Sequence, residues 1–260
     1  ADRCDLDVFI ETKSNLQKSQ IRTLAAGGVK CMQPGLESLS LNQLKAMDKG
    51  VTPMQNIACL KWSAYYHVTV SWNILLGFPG ETNDDYLRQI NLIPSVLHLQ
   101  PPESSGRFWL ERFSPYFTRP QEYGLRITGP GLAYEYVYDA REVDLKKIAY
   151  DFEYELEHWP VDLHLYQELV ALVEHWRRMH QSSDRPFLYY SKAPNYTTVY
   201  DGRNPSAPTR RRYDGLAAAA IEICNEAPKS VGQISAAAAE RMDCAEAALI
   251  PVLNGLASQR

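Results

Sequence analysis

Two abrupt strand-to-helix corners constrain this chain more than any other feature. The first is Met32-Gln33-Pro34-Gly35-Leu36-Glu37-Ser38. The second closes the run Val70-Ser71-Trp72-Asn73-Ile74-Leu75-Leu76-Gly77-Phe78-Pro79-Gly80-Glu81. In each, a β-rich run stops at a Pro-Gly pair and a helical pattern follows. Proline fixes φ and removes an N–H donor, while glycine opens backbone conformations closed to other residues, so regular structure breaks at these points. Strands alternating with helices imply βαβ units and a parallel sheet. In β/α barrels the chemistry gathers at the C-terminal ends of the strands, so the corners mark where a site is expected.

The remaining composition mainly excludes. At 260 residues the chain fits one large domain or two modest ones. No run of about eighteen apolar residues exists, so no membrane-spanning helix is expected. A net charge of -4 gives no global case for nucleic acid, and the basic cluster Arg210-Arg211-Arg212 reads as a solvated loop. The first residues, Ala-Asp-Arg-Cys-Asp-Leu-Asp, lack a signal-peptide pattern and read as an entry into the middle of a longer chain. Five scattered cysteines argue against a disulfide framework and for a reducing compartment, with the cytoplasm as the expected location. No CxxC or CxxxCxxC spacing is present, so no metal or cluster site is recognisable.

Along the chain, Asp7 to Thr12 reads as a strand, Ser19 to Ala26 as a helix stopped by Gly27-Gly28, and Val29 to Gln33 as a second strand. Leu41, Leu44 and Met47 share one face of a helix over Ser40 to Asp48. Thr52 caps a helix that has Pro53 at its first position and runs to Tyr66, and the strand His67 to Leu76 follows. Thr82-Asn83-Asp84-Asp85 open a helix to about His98, acidic where the helix dipole favours it. Arg107 to Phe117 reads as a fourth strand, and four are too few to close an eight-stranded barrel. Gln121 to Tyr138 has weak periodicity, and Leu145 to Trp159 and Asp162 to His180 read as helices. After a linker at 181–186 come a hairpin (Phe187 to Ser191, Thr197 to Asp201), a loop from Asn204 to Arg212, and helices over Gly215–Asn225, Val231–Ala238 and Ala245–Ala257. The fold class is α/β: a barrel portion at 1–120, a helical extension packing on it at 121–183, and a small α+β winged-helix-like module at 184–260.

The motifs GLESLS (35–40), Lys49-Gly50 and NILLGFPGE (73–81) resemble the radical SAM superfamily, in the branch of coproporphyrinogen-type and methylthiotransferase-type enzymes. The wider phrases QPGLESLS, QNIACLKW, VSWNILLGFPGE, HLQPP, RFSPYF and IAYDFEYEL resemble cobalamin-binding radical SAM enzymes that mature ribosomally made peptides, mostly peptide C-methyltransferases. The resemblance covers about residues 1–155. It implies the C-terminal part of a partial (β/α)6 barrel, with the strands here as its third to sixth. It also implies four residues near S-adenosylmethionine: Glu11 at its amino or ribose part, Glu37 at a ribose hydroxyl, Lys49 at the carboxylate and Asn73 at the ribose. Gly77 and Phe78, with Pro79, would approach the adenine. A zwitterion with a vicinal diol calls for a cation, carboxylate acceptors and amide hydrogen bonds, so the set is chemically coherent.

Each residue also has a plainer reading. Glu11 pairs with Lys13, Glu37 caps the helix near Ser40, Lys49 compensates a helix dipole, and Gly77 to Gly80 form only a turn. Asn73, polar within an apolar strand, needs a hydrogen-bond partner in either case. Arg112, Ser114 and Tyr116 alternate on the fourth strand, facing either the interior as substrate contacts or the surface, with Phe113, Pro115 and Phe117 then in the core. His175 and His180 lack ligand spacing and read as solvated. The Tyr-rich stretch 133–154 reads as core and interface.

The family holds its [4Fe-4S] cluster in a CxxxCxxC loop and its cobalamin in an N-terminal domain, both expected upstream of Ala1. The resemblance therefore implies a chain that forms no radical alone and binds S-adenosylmethionine weakly. The implied partners are a precursor peptide and a reductant protein, with no membrane. The C-terminal module resembles winged-helix elements that hold peptides at a sheet edge, and a purely structural cap is its alternative. DNA is disfavoured, because Val231 to Ala238 carries no Lys or Arg. The function expected is peptide modification by C-methylation. Methylthiolation, oxidation, cyclisation or a non-catalytic peptide-binding fragment are the alternatives.

Overall fold

The computed structural model describes residues 6–159, 161–242 and 246–258. The first part runs β1 (Val8–Thr12), α1 (Lys18–Ala26), β2 (Val29–Pro34), α2 (Leu41–Ala46), α3 (Pro53–Tyr65), β3 (Thr69–Val70), β4 (Asn73–Leu76), α4 (Asn83–Val96) and β5 (Ser104–Arg107). β1, β2 and β3 pair in parallel in that order, and β4 pairs in parallel with β5. The expected strand over 67–76 is thus broken in two. Gln100 supplies the reason: its side chain accepts from Val70 N–H at 3.0 Å and donates to the Val70 carbonyl, taking the groups a neighbouring strand would use. Beyond the break, Leu75 N–H reaches the Glu37 carbonyl at 2.9 Å, so β4 still follows the end of β2.

Sequence signals at the helix starts operate locally. Thr52 and Gln55 form a reciprocal capping box before α3, with Pro53 at its first position. Thr82 and Asp85 do the same for α4. Met32, Ile74, Leu76, Leu60 and Ile93 are at most 1% exposed and share one core with α8 (Leu163–Gln181), through Leu169, Val173 and Trp176. Trp176 meets Trp72 edge to face at 6.0 Å and donates its indole N–H to the Leu97 and Leu99 carbonyls. Each such buried apolar side chain contributes roughly 1.5–3 kcal/mol.

The segment expected as a fourth strand over 107–117 is not one. Between β5 and α8 lie β6 (Leu110–Glu111), α5 (Pro115–Thr118), a 3-10 turn (Pro120–Tyr123), β7 (Leu125–Pro130), α6 (Ala133–Val137), α7 (Leu145–Ile148) and β8 (Asp151–Leu156). These strands form an antiparallel sheet in the order β6-β8-β7. Phe113 takes a positive φ of 73° and is 77% exposed, which ends extended structure, and Ser114 then caps α5. Residues 145–159 are likewise not a helix, so 121–183 is no purely helical extension. Phe152 and Tyr154 are buried while Glu153 and Glu155 are exposed, the period-two pattern of a strand with one wet face. Of the tyrosine-rich stretch expected as core and interface, Tyr154 lies in the core while Tyr136, Tyr138 and Tyr150 are exposed.

The last part is β9 (Leu188–Ala193), β10 (Tyr196–Asp201), β11 (Thr209–Asp214), α9 (Gly215–Asn225), α10 (Val231–Met242) and α11 (Glu246–Ala257). Its sheet is antiparallel in the order β11-β10-β9. The arginine cluster therefore lies on a third strand rather than in a loop. Arg210 and Arg212 pack over Tyr200 and Tyr196, with ring distances of 5.6 and 3.9 Å, and those contacts offset the cost of setting two cations on one face of the strand. No helix among the described residues is long and apolar enough to cross a membrane.

Candidate functional site

The two corners meet around a cavity of about 570 Å³. Glu37 enters from the β2 corner at a positive φ of 56°. Lys49 comes from the turn after α2, where Asp48 and Gly50 at positive φ swing the chain back. Lys49 Nζ lies 2.6 Å from Glu37 Oε1, each side chain remaining about a quarter exposed (29% and 26%). A Cβ on Gly35 would sit 3.3 Å from the Glu37 carboxylate and 3.5 Å from Lys49 Nζ, so glycine leaves this pair its room. Asn73 on β4 accepts from the Ser104 hydroxyl on β5 at 2.8 Å, which answers the demand for a partner. Phe78, 5% exposed, stacks on Phe108 with centroids 4.3 Å apart.

Ser114 and Tyr116 also line the cavity, but from α5. Ser114 accepts from Phe117 N–H as an N-cap. Tyr116 packs against Phe78 and Phe108 and donates its hydroxyl to the Ala46 carbonyl at 3.2 Å. Burial raises the Tyr116 phenol above its ordinary pKa, so it acts as a neutral donor.

Three expected residues lie elsewhere. Glu11 is exposed on β1, paired in register with Gln33, and does not line the cavity. Gly77 faces away: its φ is 77°, and a Cβ there would come within 3.1 Å of Trp159, so it admits that ring behind the wall. Arg112 donates to the Ala149 and Lys146 carbonyls and covers Phe152, tying α7 to the antiparallel sheet. The plainer reading of that segment also fails, because Phe113 and Pro115 are exposed. His180 is not solvated; its Nε2 lies 2.7 Å from the Leu97 carbonyl.

Sequence reasoning missed the network that fixes both corners. Glu81, 4% exposed, accepts from Gly77 N–H (2.9 Å), Tyr86 hydroxyl (2.8 Å) and Gln43 Nε2 (2.9 Å). Gln89 donates to Gln43 and accepts from Leu39 N–H, while Asn56 Nδ2 donates to the Leu36 and Ser38 carbonyls. Burial pushes the Glu81 carboxyl up to about 7 against these hydrogen bonds. Burial also opposes ionisation of Asp85, yet donors on Ser40, Asn42 and Thr82 outweigh it and lower its pKa. One signal was available: Gln89 interrupts the stripe Tyr86, Ile93, Val96 on α4, and a polar residue in a buried stripe needs partners. Arg107 at the end of β5 and Phe108 and Trp109 just after it also line the cavity, and no motif marked that strand end.

The residues present suit a nucleoside bearing an amino acid: a cation, a carboxylate, an amide and an aromatic stack. They do not suit an iron–sulfur cluster. Among the described residues no group of three or more His, Cys, Asp or Glu is placed to hold a metal.

No protein-family model matches the chain, and no curated protein does. Among solved structures, the archaeal Methanocaldococcus infernus Elp3 with an N-terminal deletion (1–46) is similar over 80% of this chain and 57% of that one. The identity is 13% and the TM-score 0.37, a likeness too slight to carry an argument. The chain spans less than two thirds of that structure's length.

Proposed function

We propose that this chain is part of a radical SAM enzyme and that the strand-end cavity holds the nucleoside and amino-acid parts of S-adenosylmethionine. The observation that supports the reading most is convergence. Glu37, Lys49, Asn73 and Phe78, named from the motifs of three separate segments, all line one cavity. Lys49 would take the carboxylate, Glu37 and Asn73 the ribose hydroxyls, and Phe78 with Phe108 one face of the adenine. When bound beside a reduced cluster, S-adenosylmethionine supplies a carbon radical that abstracts hydrogen. This chain's contribution would be to orient the nucleoside and exclude water.

The finer reading, a cobalamin-dependent enzyme that C-methylates a precursor peptide, rests on the wording of the motifs. The [4Fe-4S] cluster and cobalamin would be held by other segments, and a reductant protein would supply electrons. The test is 5′-deoxyadenosine formation by the gene product containing this chain, reconstituted with iron and sulfide under reductant. Formation that falls about tenfold or more in Lys49→Met supports the reading, an effect in line with losing a charge-assisted contact. No 5′-deoxyadenosine from a cluster-loaded protein would favour a non-catalytic peptide-binding barrel.

A further inference from the structure

A second, larger cavity of about 960 Å³ lies between the outer helices of the barrel portion and the C-terminal module. Its roof is one face of the β9–β10–β11 sheet. Strand pairing sets Tyr190, Val199 and Arg211 in one cross-strand row and Leu188, Asp201 and Thr209 in the next, and all six line the space. Opposite them stand Lys61, Trp62 and Tyr65 of α3, His98 just past α4, and Cys224 and Asn225 of α9 with Glu226 at its C-cap.

The charge around this cavity is lopsided. Lys18, Lys61, Lys192, Arg203 and Arg211 line it, against the carboxylates of Asp201 and Glu226. Glu226 pairs with Lys18 at 2.7 Å, Asp201 with Arg203 at 2.6 Å, and Glu222, from outside the lining, with Lys192 at 2.6 Å. Lys61 differs from these. Its ammonium donates to two neutral oxygens of Asn225, one of them Oδ1 at 2.7 Å, and lies 4.6 Å from the centre of the Trp62 ring. Its positive charge therefore meets no carboxylate directly, and burial lowers its pKa. His98 also lines the cavity, although its unpartnered Nδ1 is buried away from the open space. Burial and the neighbouring Arg203 hold that imidazole neutral, with a pKa of about 4. Around these polar groups stand the aromatic faces of Trp62, Tyr65, Phe187 and Tyr190. Volume, aromatic walls and a few converging polar groups are the marks of a small-molecule site.

We propose that this cavity binds a small organic anion with a planar apolar body, its charged group at Lys61 and its ring among the aromatic side chains. A carboxylate and a phosphate ester share this chemistry. The inference is independent of whether the strand-end cavity takes S-adenosylmethionine.

Calorimetric titration of the intact chain with 1-naphthyl phosphate and with 2-naphthoate tests it. One saturable site is expected for at least one probe, and the tighter probe identifies the anion. Neutral 1-naphthol and inorganic phosphate should each bind about tenfold weaker or worse, since each lacks half of the recognised chemistry. Lys61→Met should weaken the probe by a similar factor, whereas Lys49→Met in the other cavity should not. In case Lys61→Met fails to fold, a second readout uses the wild-type chain. Alkylation of Cys224, exposed and lining the cavity, should slow several-fold at saturating probe, as mapped by peptide mass. The proposal is overturned by no saturable binding, by equal affinity for 1-naphthol, by loss of binding in Lys49→Met but not Lys61→Met, or by unprotected Cys224.

Discussion

The two walls of the strand-end cavity are held by different physics. The polar wall, carrying Glu37, Lys49 and Asn73, stands on parallel strands and a buried hydrogen-bond network centred on Glu81, Gln43 and Gln89. The aromatic wall comes from the segment leading into the antiparallel sheet, with Phe108 and Tyr116 held mainly by ring packing beside an exposed Trp109. Hydrogen bonds are directional, so the polar wall has one geometry; stacked rings tolerate small slides. A ligand bound there would have its charged end placed by the first wall and its flat end accommodated by the second. Mutations that strike one wall and spare the other separate these roles.

The largest expected effect is in the core beneath the polar wall. Trp176→Ala removes a fully buried ring and leaves the Leu97 and Leu99 carbonyls without their indole donor. Denaturant melts should show a loss of about 3–5 kcal/mol. Next comes the pH dependence of the network. The fold raises the Glu81 carboxyl from 4.5 to about 7, so the folded state keeps a proton that the unfolded chain has released. Stability from this group therefore falls as pH rises from 4.5 towards 7, by on the order of 3 kcal/mol. His98 works oppositely: with its pKa lowered from 6.5 to about 4, it costs stability as pH falls below 6.5. Subtracting the Glu81→Gln profile from wild type isolates the first slope, since the amide keeps an acceptor but cannot ionise. Identical slopes in the two proteins would show that Glu81 is not the group responsible.

On the aromatic wall the effects should be smaller. Phe108→Leu keeps most apolar volume but loses the stack on Phe78, and should cost about 1–2 kcal/mol. A loss as large as that of Trp176→Ala would mean this wall is as rigid as the other. Ser114→Ala removes the N-cap of α5 and should cost about 1 kcal/mol. Smallest is Arg126→Gln at the far edge of the same sheet, whose exposed pair with Glu155 should be worth under about 1 kcal/mol.

The polar wall was legible in the sequence because its signals are local. Pro34-Gly35, Thr52-Pro53 and the Thr82–Asp85 box each dictate structure within a few residues, and the motif residues between them fall where the corners put them. The aromatic wall was not, for reasons visible in particular residues. Arg107 to Phe117 has strand-like composition, yet the backbone turns at Phe113 through a positive φ that no sequence pattern announces. Residues 151–156 alternate like a strand, but Glu and Leu also suit helices, and the partners β6 and β7 that decide the matter are distant in sequence. Glu11 and Gly77 were placed by motif alone. The register with Gln33 sets Glu11 outside the cavity, and the approach of Trp159 claims Gly77. Arg210 to Arg212 are exposed as expected, but they read as a loop because the tyrosines of β10 that receive Arg210 and Arg212 are known only once the sheet is formed.

The central claim is that the strand-end cavity holds S-adenosylmethionine. Ligand-observed NMR, which detects weak binding, tests it on this chain without any cluster. Saturation transfer should reach the adenine and ribose protons of S-adenosylmethionine, and should drop sharply in folded Glu37→Ala and Lys49→Met while surviving in Lys61→Met. Absent transfer at millimolar ligand, or transfer unchanged in both Glu37→Ala and Lys49→Met, would contradict the account.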